Sequence, residues 1–111
     1  MAVFHTDDIN FEMDVLHSEL PILVDFYADW CEPCQAMSLL IEEISGEYEG
    51  AVKFASIDIE ESPNCTKSFS VKGVPNLLFF NKGLLTGRSV GLIDKETLIG
   101  FLDNQLKPQI Y

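Results

Sequence analysis

Apolar runs that read as buried strands alternate along the chain with apolar positions at helical spacing. Ile22-Leu-Val-Asp-Phe-Tyr27 is nearly continuous in apolar residues, as a strand buried on both faces would be. Met37, Leu40, Ile41, Ile44 and Tyr48 then recur at helical intervals, which predicts an amphipathic helix from Pro33 to Tyr48. Gly46 and Gly50 are read as breaking that pattern and freeing the chain to turn. Val52 to Ile59 reads as the next strand. Ser62-Pro63 predicts a helix start, with Ser62 as cap and proline at the first helical position, where its missing N–H costs nothing. That helix is short and ends before Val71. Asn76 to Phe80, the turn Asn81-Lys-Gly83, and Leu84 to Val90 predict a β-hairpin. Asp94 is expected to cap a last helix whose Leu98, Phe101, Leu102 and Leu106 share one face. The N-terminal pattern is weaker and predicts a short strand near Val3 and a helix from about Phe11 to His17.

The predicted order is therefore β-α-β-α-β-α-β-β-α. Strands joined through helices should run parallel and the closing hairpin antiparallel, giving an α/β fold with a mixed sheet and helices on both faces. A chain of 111 residues, 47% of them apolar, fits one compact domain over residues 1–111 with a core of its own.

Charge narrows the function. Eighteen acidic and seven basic residues leave a net charge of −11. Such a surface repels nucleic acid and anionic membrane, so neither is an expected partner. It serves solubility, or selection among charged protein partners. No apolar run is long enough to span a bilayer. Met1 to Asp8 contain no lysine or arginine and no apolar stretch, so no secretory or transit leader is read there and the cytosol is the expected location.

Three cysteines are too few, and odd in number, for a secreted disulfide framework. Two of them form Trp30-Cys-Glu-Pro-Cys34, where the first long strand gives way to its helix. In that setting C-x-x-C reads as a redox pair. Two intervening residues wound into a first helical turn bring the sulfurs within bonding reach. The helix N-terminus offers partial positive charge and free N–H groups to the thiolate of Cys31, and Pro33 stiffens the small ring. Cys31 would attack a substrate disulfide, and Cys34, further in, would resolve the mixed disulfide. The alternative is half of a zinc site, for which the other available ligands are Cys65, His5 and His17, with no second cysteine pair.

These motifs resemble the thioredoxin family over nearly the whole chain. They are Val24-Asp-Phe-Tyr-Ala-Asp-Trp-Cys-Glu-Pro-Cys34, Val71-Lys-Gly-Val-Pro-Asn-Leu-Leu-Phe-Phe80 and Val90-Gly91, in that order. The resemblance implies the thioredoxin fold, with central sheet order 1-3-2-4-5 flanked by four helices. It implies a protein-disulfide reductase without a cofactor of its own, reloaded by a flavoprotein or ferredoxin-linked thioredoxin reductase. It makes Asp25 the buried acid that moves a proton to or from the inner cysteine, consistent with the cost of a lone carboxylate in a buried strand. It makes Val74-Pro75 a cis bond that presents Val74's backbone to an extended substrate segment. Trp30, Val74, Pro75, Gly91 and Leu92 would then form an apolar collar around the exposed sulfur of Cys31. Gly91 would leave room for a substrate backbone, or serve simply as a turn glycine.

The chain departs from the family pattern at five places. Glu32 replaces the usual glycine between Cys31 and Pro33. At about 6 Å in near-bulk solvent its charge opposes the thiolate by roughly 0.7 kcal/mol, comparable to the roughly 0.3–1 kcal/mol offered by a helix end. Gln35 stands where a lysine is common, removing one positive charge near the site. Ser56 stands where a lysine often pairs with the buried acid, so Asp25 should be harder to ionise. Leu39 stands where a proline usually kinks the long helix, predicting a straighter one. Asn76 follows Pro75 where threonine is common, with no consequence assigned.

Outside the motifs, Cys65 reads as a small half-buried helix residue, or else as a regulatory or dimer-linking thiol. The chain is expected to act as a monomer. His5 and His17 are expected to face solvent without a partner. Phe79, Phe80 and Phe101 are expected in the core. Two other functions fit a dithiol domain: an oxidase or isomerase, which needs a strongly stabilised Cys31 thiolate, and a redox-independent adaptor. Glu32 opposes the first.

Overall fold

Strands β1 (Val3–His5), β2 (Ile22–Tyr27), β3 (Lys53–Asp58), β4 (Asn76–Asn81) and β5 (Leu84–Val90) form one mixed sheet in the order 1-3-2-4-5 in a computed structural model that describes residues 3–108. Residues 1–2 and 109–111, the ends of the expected 1–111 domain, lie outside the described residues. β1 and β2 flank β3 in parallel, while β4 runs antiparallel to both β2 and β5. β2 and β3, joined through the helix Glu32–Ser45, run parallel as expected. β3 and β4 depart from that expectation: they too are joined through a helix, Pro63–Ser68, yet they run in opposite directions, because the connection carries β4 past β3 to pair antiparallel with β2. Lys82 and Gly83, with φ of 52° and 80°, close the β4–β5 hairpin in the left-handed backbone its tight turn needs.

Three α-helices cover the sheet: α1 (Glu32–Ser45), α2 (Pro63–Ser68) and α3 (Lys95–Gln105). The fourth expected helix, near residues 11–17, is a single π-helical turn over Glu12–Leu16, closed by the His17 N–H donating to the Glu12 carbonyl at 2.9 Å. α1 runs through Leu39 without a break. It ends at Ser45 rather than Tyr48, and Gly46–Tyr48 continue as a 3-10 turn. Gly46 does not turn the chain, since its φ of −63° is helical; the reversal falls at Gly50, with φ of 85°. Asp94 caps α3 as expected, accepting the Thr97 N–H at 2.9 Å. Ser62 occupies the cap position of α2, but its hydroxyl makes no cap bond. The carboxylate of Asp8 does that work from a distance, accepting the N–H groups of Asn64 at 2.9 Å and Cys65 at 2.8 Å.

Side-chain alternation divides the core into two layers. On one face Leu23, Phe54, Leu77 and Phe79 pack against Met37, Ile41 and Ile44 of α1 and Leu98 and Leu102 of α3. On the other, Val24, Phe26, Ile57, Leu78 and Phe80 pack with Phe11 at the start of the π-turn, Val15 within it, and Cys65 of α2. Phe101 is partly buried and meets Phe79 edge to face at 6.3 Å. The same alternation sends Asp25 to the α1 face, between Leu23 and Tyr27, as an acid set in an apolar layer.

Candidate active site

β2 ends at Tyr27 and α1 begins at Glu32, so the intervening turn delivers Trp30 and Cys31 to the end of the sheet. Cys31 is the N-cap residue of α1, with extended backbone (φ −96°, ψ 108°). Pro33 lies in the first helical turn, where no backbone donor is needed. The geometry carries Cys34 back toward its partner: the two cysteines are joined as a disulfide, with Cα atoms 5.3 Å apart. The Cys34 N–H donates to Cys31 Sγ at 3.2 Å. A backbone donor and a helix N-terminus aimed at one sulfur stabilise negative charge there, which is the requirement for a nucleophilic thiolate.

Cys31 is 5% exposed and Cys34 2%. The outer sulfur is thus more covered than expected, because Ala28, Tyr27, Ile59 and Val74 pack around the pair. Of the expected collar, Trp30 (67% exposed) and Leu92 (52% exposed) offer apolar surface, and Val74 touches the disulfide cluster. The Val74–Pro75 bond is cis, and the Pro75 carbonyl accepts the Gly91 N–H at 2.8 Å, which ties the two loops of the collar together. Gly91 has φ of 93°, so the turn itself calls for glycine, and a Cβ there would meet no atom of the described residues within 4 Å. Asn76, beside Pro75, is buried and donates its amide to the Gly73 carbonyl at 3.2 Å.

Asp25 lies inside β2, two residues before its end, and is 2% exposed. Burial pushes its pKa up from 3.8 to about 6, against the opposing effect of a hydrogen bond from Ser38. The Ser38 hydroxyl donates to Asp25 Oδ2 at 3.1 Å, and Oδ1 has no partner among the described residues. Ser56 pairs with Asp25 in the sheet register and lines the same cavity of about 230 Å³, together with His5, Tyr27, Ser38 and Glu42. No lysine or arginine forms an ion pair with Asp25 among the described residues.

Two contacts of this region carry little signal in the sequence. Glu60 accepts a hydrogen bond from Trp30 Nε1 at 3.2 Å across 30 positions, fixing one edge of the exposed indole. Ser38 shows only its spacing, one helical turn beyond Cys34 and therefore on the same side of α1. The remaining expected candidates lie apart from the disulfide. Cys65 is buried in the opposite core layer. His5 and His17 are exposed but not alone: His5 Nε2 is 2.8 Å from Glu61 Oε1, and His17 Nε2 is 3.6 Å from Glu12 Oε2. Among the described residues, no group of three or more His, Cys, Asp or Glu side chains is placed to hold a metal, and no helix is long and apolar enough to cross a membrane.

Sequence similarity to known proteins points the same way. The thioredoxin family model matches residues 2–104. A thioredoxin of Acidithiobacillus ferridurans is 42% identical over 105 residues, covering 95% of this chain and 97% of that protein. A thioredoxin of Synechocystis sp. is 40% identical over 105 residues, covering 95% and 98%. Thioredoxin C-2 of Corynebacterium nephridii is 36% identical over the same length, covering 95% and 97%. A disulfide at the first turn of the helix that follows a central strand, on a 1-3-2-4-5 sheet, within a chain matched almost end to end, shows that this protein belongs to the thioredoxin family of thiol–disulfide oxidoreductases.

Proposed function

We propose that this chain reduces disulfides in other proteins through Cys31 and Cys34, and that residues 1–111 act as one monomeric unit in the cytosol. Cys31 is the attacking residue, because it is the outer of the two cysteines and its sulfur receives the Cys34 N–H at 3.2 Å. That contact is the observation on which the reading chiefly rests. Cys31 forms the mixed disulfide, Cys34 breaks it, and the partner leaves as a dithiol. The oxidised chain is then reloaded by a thioredoxin reductase, flavoprotein or ferredoxin-linked.

Asp25 is assigned the proton of Cys34. A carboxyl with a pKa of about 6 is mostly ionised near pH 7 and is close enough to that pH to accept and release a proton readily. Trp30, Val74, Pro75, Gly91 and Leu92 are assigned to substrate contact: exposed apolar surface from Trp30 and Leu92, and backbone from Val74 for an extended segment. Glu32 and Pro33 complete the active-site motif, the first carrying charge to the contact face and the second shaping the turn.

The test is a titration of the Cys31–Cys34 couple against defined dithiol buffers, followed by Trp30 fluorescence with thiol state confirmed by alkylation and mass. The expected potential lies well below that of glutathione, and Cys31→Ser should abolish turnover of a disulfide-bonded protein. A potential at or above glutathione's would make the chain an oxidant or isomerase. A Cys31→Ser, Cys34→Ser double variant that kept its biological activity would make it an adaptor.

A further inference from the structure

Ser38 stands between the two groups that must exchange a proton. It lies one turn beyond Cys34 on α1, and it reaches across to β2 to donate to Asp25 Oδ2 at 3.1 Å. It also forms part of the wall between two cavities. One, of about 440 Å³, is lined by Cys34, Tyr27, Ser38 and Glu42 among others, and does not reach Asp25. The other, of about 230 Å³, is lined by Asp25, Tyr27, Ser38 and Glu42 among others, and does not reach Cys34. With Oδ2 engaged, the buried and unpartnered Oδ1 is the oxygen left free to take a proton.

We propose that Ser38 is a positioning residue for the proton transfer at Asp25: its hydroxyl holds Oδ2, so that Oδ1 receives the proton of Cys34, and it supports the carboxylate in place of a cation. The inference rests on the assignment of Asp25 as proton acceptor. In the resolving step the Cys34 S–H bond breaks and its proton passes to Oδ1, directly or through one water. The sulfur's electron pair forms the bond to Cys31 Sγ, the Cys31–substrate S–S bond breaks, and the substrate sulfur departs with that pair as a thiolate. Substrate is reduced, the Cys31–Cys34 pair is oxidised, and Asp25 later releases its proton to solvent.

The groups facing Asp25 leave Ser38 as its hydrogen-bonded support. His5 on β1 is engaged with Glu61; Ser56 on β3 is neutral and makes no hydrogen bond to the acid. Leu77 on β4, paired with Asp25, is apolar. Glu42 and Cys34 on α1, Tyr27 on β2 itself and Asp58 on β3 bring no positive charge. A hydroxyl donor to a buried carboxylate favours the ionised form and opposes the effect of burial, which is the larger one here.

The experiment compares wild type, Ser38→Ala, Ser38→Thr and Asp25→Asn. Alanine is a strong helix former, and threonine keeps the hydroxyl. One readout is the carboxyl titration of Asp25 by carbon NMR of the oxidised protein. The second is the pH profile of the resolving step, read by stopped flow as the second thionitrobenzoate released when reduced protein meets an aryl disulfide. Ser38→Ala should move the Asp25 midpoint up by about one pH unit. The acid limb of the rate profile should follow, lowering the rate about fivefold near pH 6 and less than twofold near pH 8.5. Ser38→Thr should restore both. If Asp25→Asn removes the acid limb while Ser38→Ala leaves midpoint and limb unmoved, Asp25 remains the acceptor and the role of Ser38 is overturned. If Asp25→Asn leaves the limb in place, Asp25 is not the acceptor and both assignments fall.

Discussion

The Asp8 carboxylate accepts the backbone N–H of Cys65 at 2.8 Å, capping α2 from 57 positions away. Its second oxygen takes the Asn64 N–H at 2.9 Å, so one side chain satisfies two of the donors that open the helix. Slight burial raises the Asp8 pKa, but the hydrogen bonds from Cys65 and Asn64 outweigh it and the net displacement is downward. A depressed carboxylate contributes stability above its ordinary pKa and loses it as pH falls through the folded value. Asp8→Ala should therefore cost about 1–2 kcal/mol at neutral pH, with the deficit shrinking in acid. Urea unfolding of both proteins near pH 7 and near pH 3 measures it; an equal deficit at both would show that the charge of Asp8 contributes nothing.

The same carboxylate keeps Cys65 quiet. Burial pushes the Cys65 thiol up to about 12, and the hydrogen bond and negative charge of Asp8, with the charge of Asp7, add to the effect. At pH 8 a thiol of that acidity is about one part in ten thousand thiolate. Iodoacetamide added to the reduced native protein should label Cys31 and spare Cys65, which becomes reactive once urea unfolds the chain. Native labelling of Cys65 at a rate near that of Cys31 would restore the regulatory thiol as a reading.

Asp25 makes the fold less stable where it is charged. The unfolded carboxyl titrates near 3.8 and the folded one near 6, so between those values the native state holds the extra proton. Stability falls as pH rises through that window, and the full loss, roughly 3 kcal/mol at 1.36 kcal/mol per pH unit, is present above it. Asp25→Asn carries no such charge. Its stability relative to wild type should rise by about 2–3 kcal/mol between about pH 3.5 and pH 7.5, read from denaturant midpoints. A difference that stays flat with pH would mean that ionisation of Asp25 is not opposed by the fold.

What was legible along the chain was local. β2 announces itself because both of its faces are buried, and α1 because Met37, Ile41 and Ile44 repeat on one side. The C-x-x-C pair is legible because its function depends on a spacing of three. The illegible features join distant positions or hinge on one backbone angle. Nothing near Ser62 says that Asp8 will take over its capping role, nor that Trp30 will bond to Glu60. Gly46 has the composition of a break and the φ of a helix, and only packing decides between them. Ser56 shows in the sequence that Asp25 lacks a cation, but the hydrogen bond Asp25 does receive comes from Ser38, whose relation to Asp25 exists only once α1 lies on the sheet.

Glu32 opens α1 immediately after the cap, and this position sets two effects against each other. Its carboxylate suits the positive end of the helix, but it also lies beside Cys31, where a thiolate must form. The side chain is exposed, so water and salt screen its charge and the opposition stays below about 0.7 kcal/mol. Roughly 0.5 kcal/mol on a two-electron couple corresponds to a potential change on the order of 10 mV. Since the charge disfavours the reduced thiolate form, Glu32→Gly should be less reducing than wild type by about that amount, and Cys31 slightly more acidic. Glu32→Gln separates charge from backbone freedom and should reproduce the change. Both shifts should shrink at high salt. Equal potentials in all three proteins at low salt would remove Glu32 from redox tuning and leave it to partner selection on the contact face.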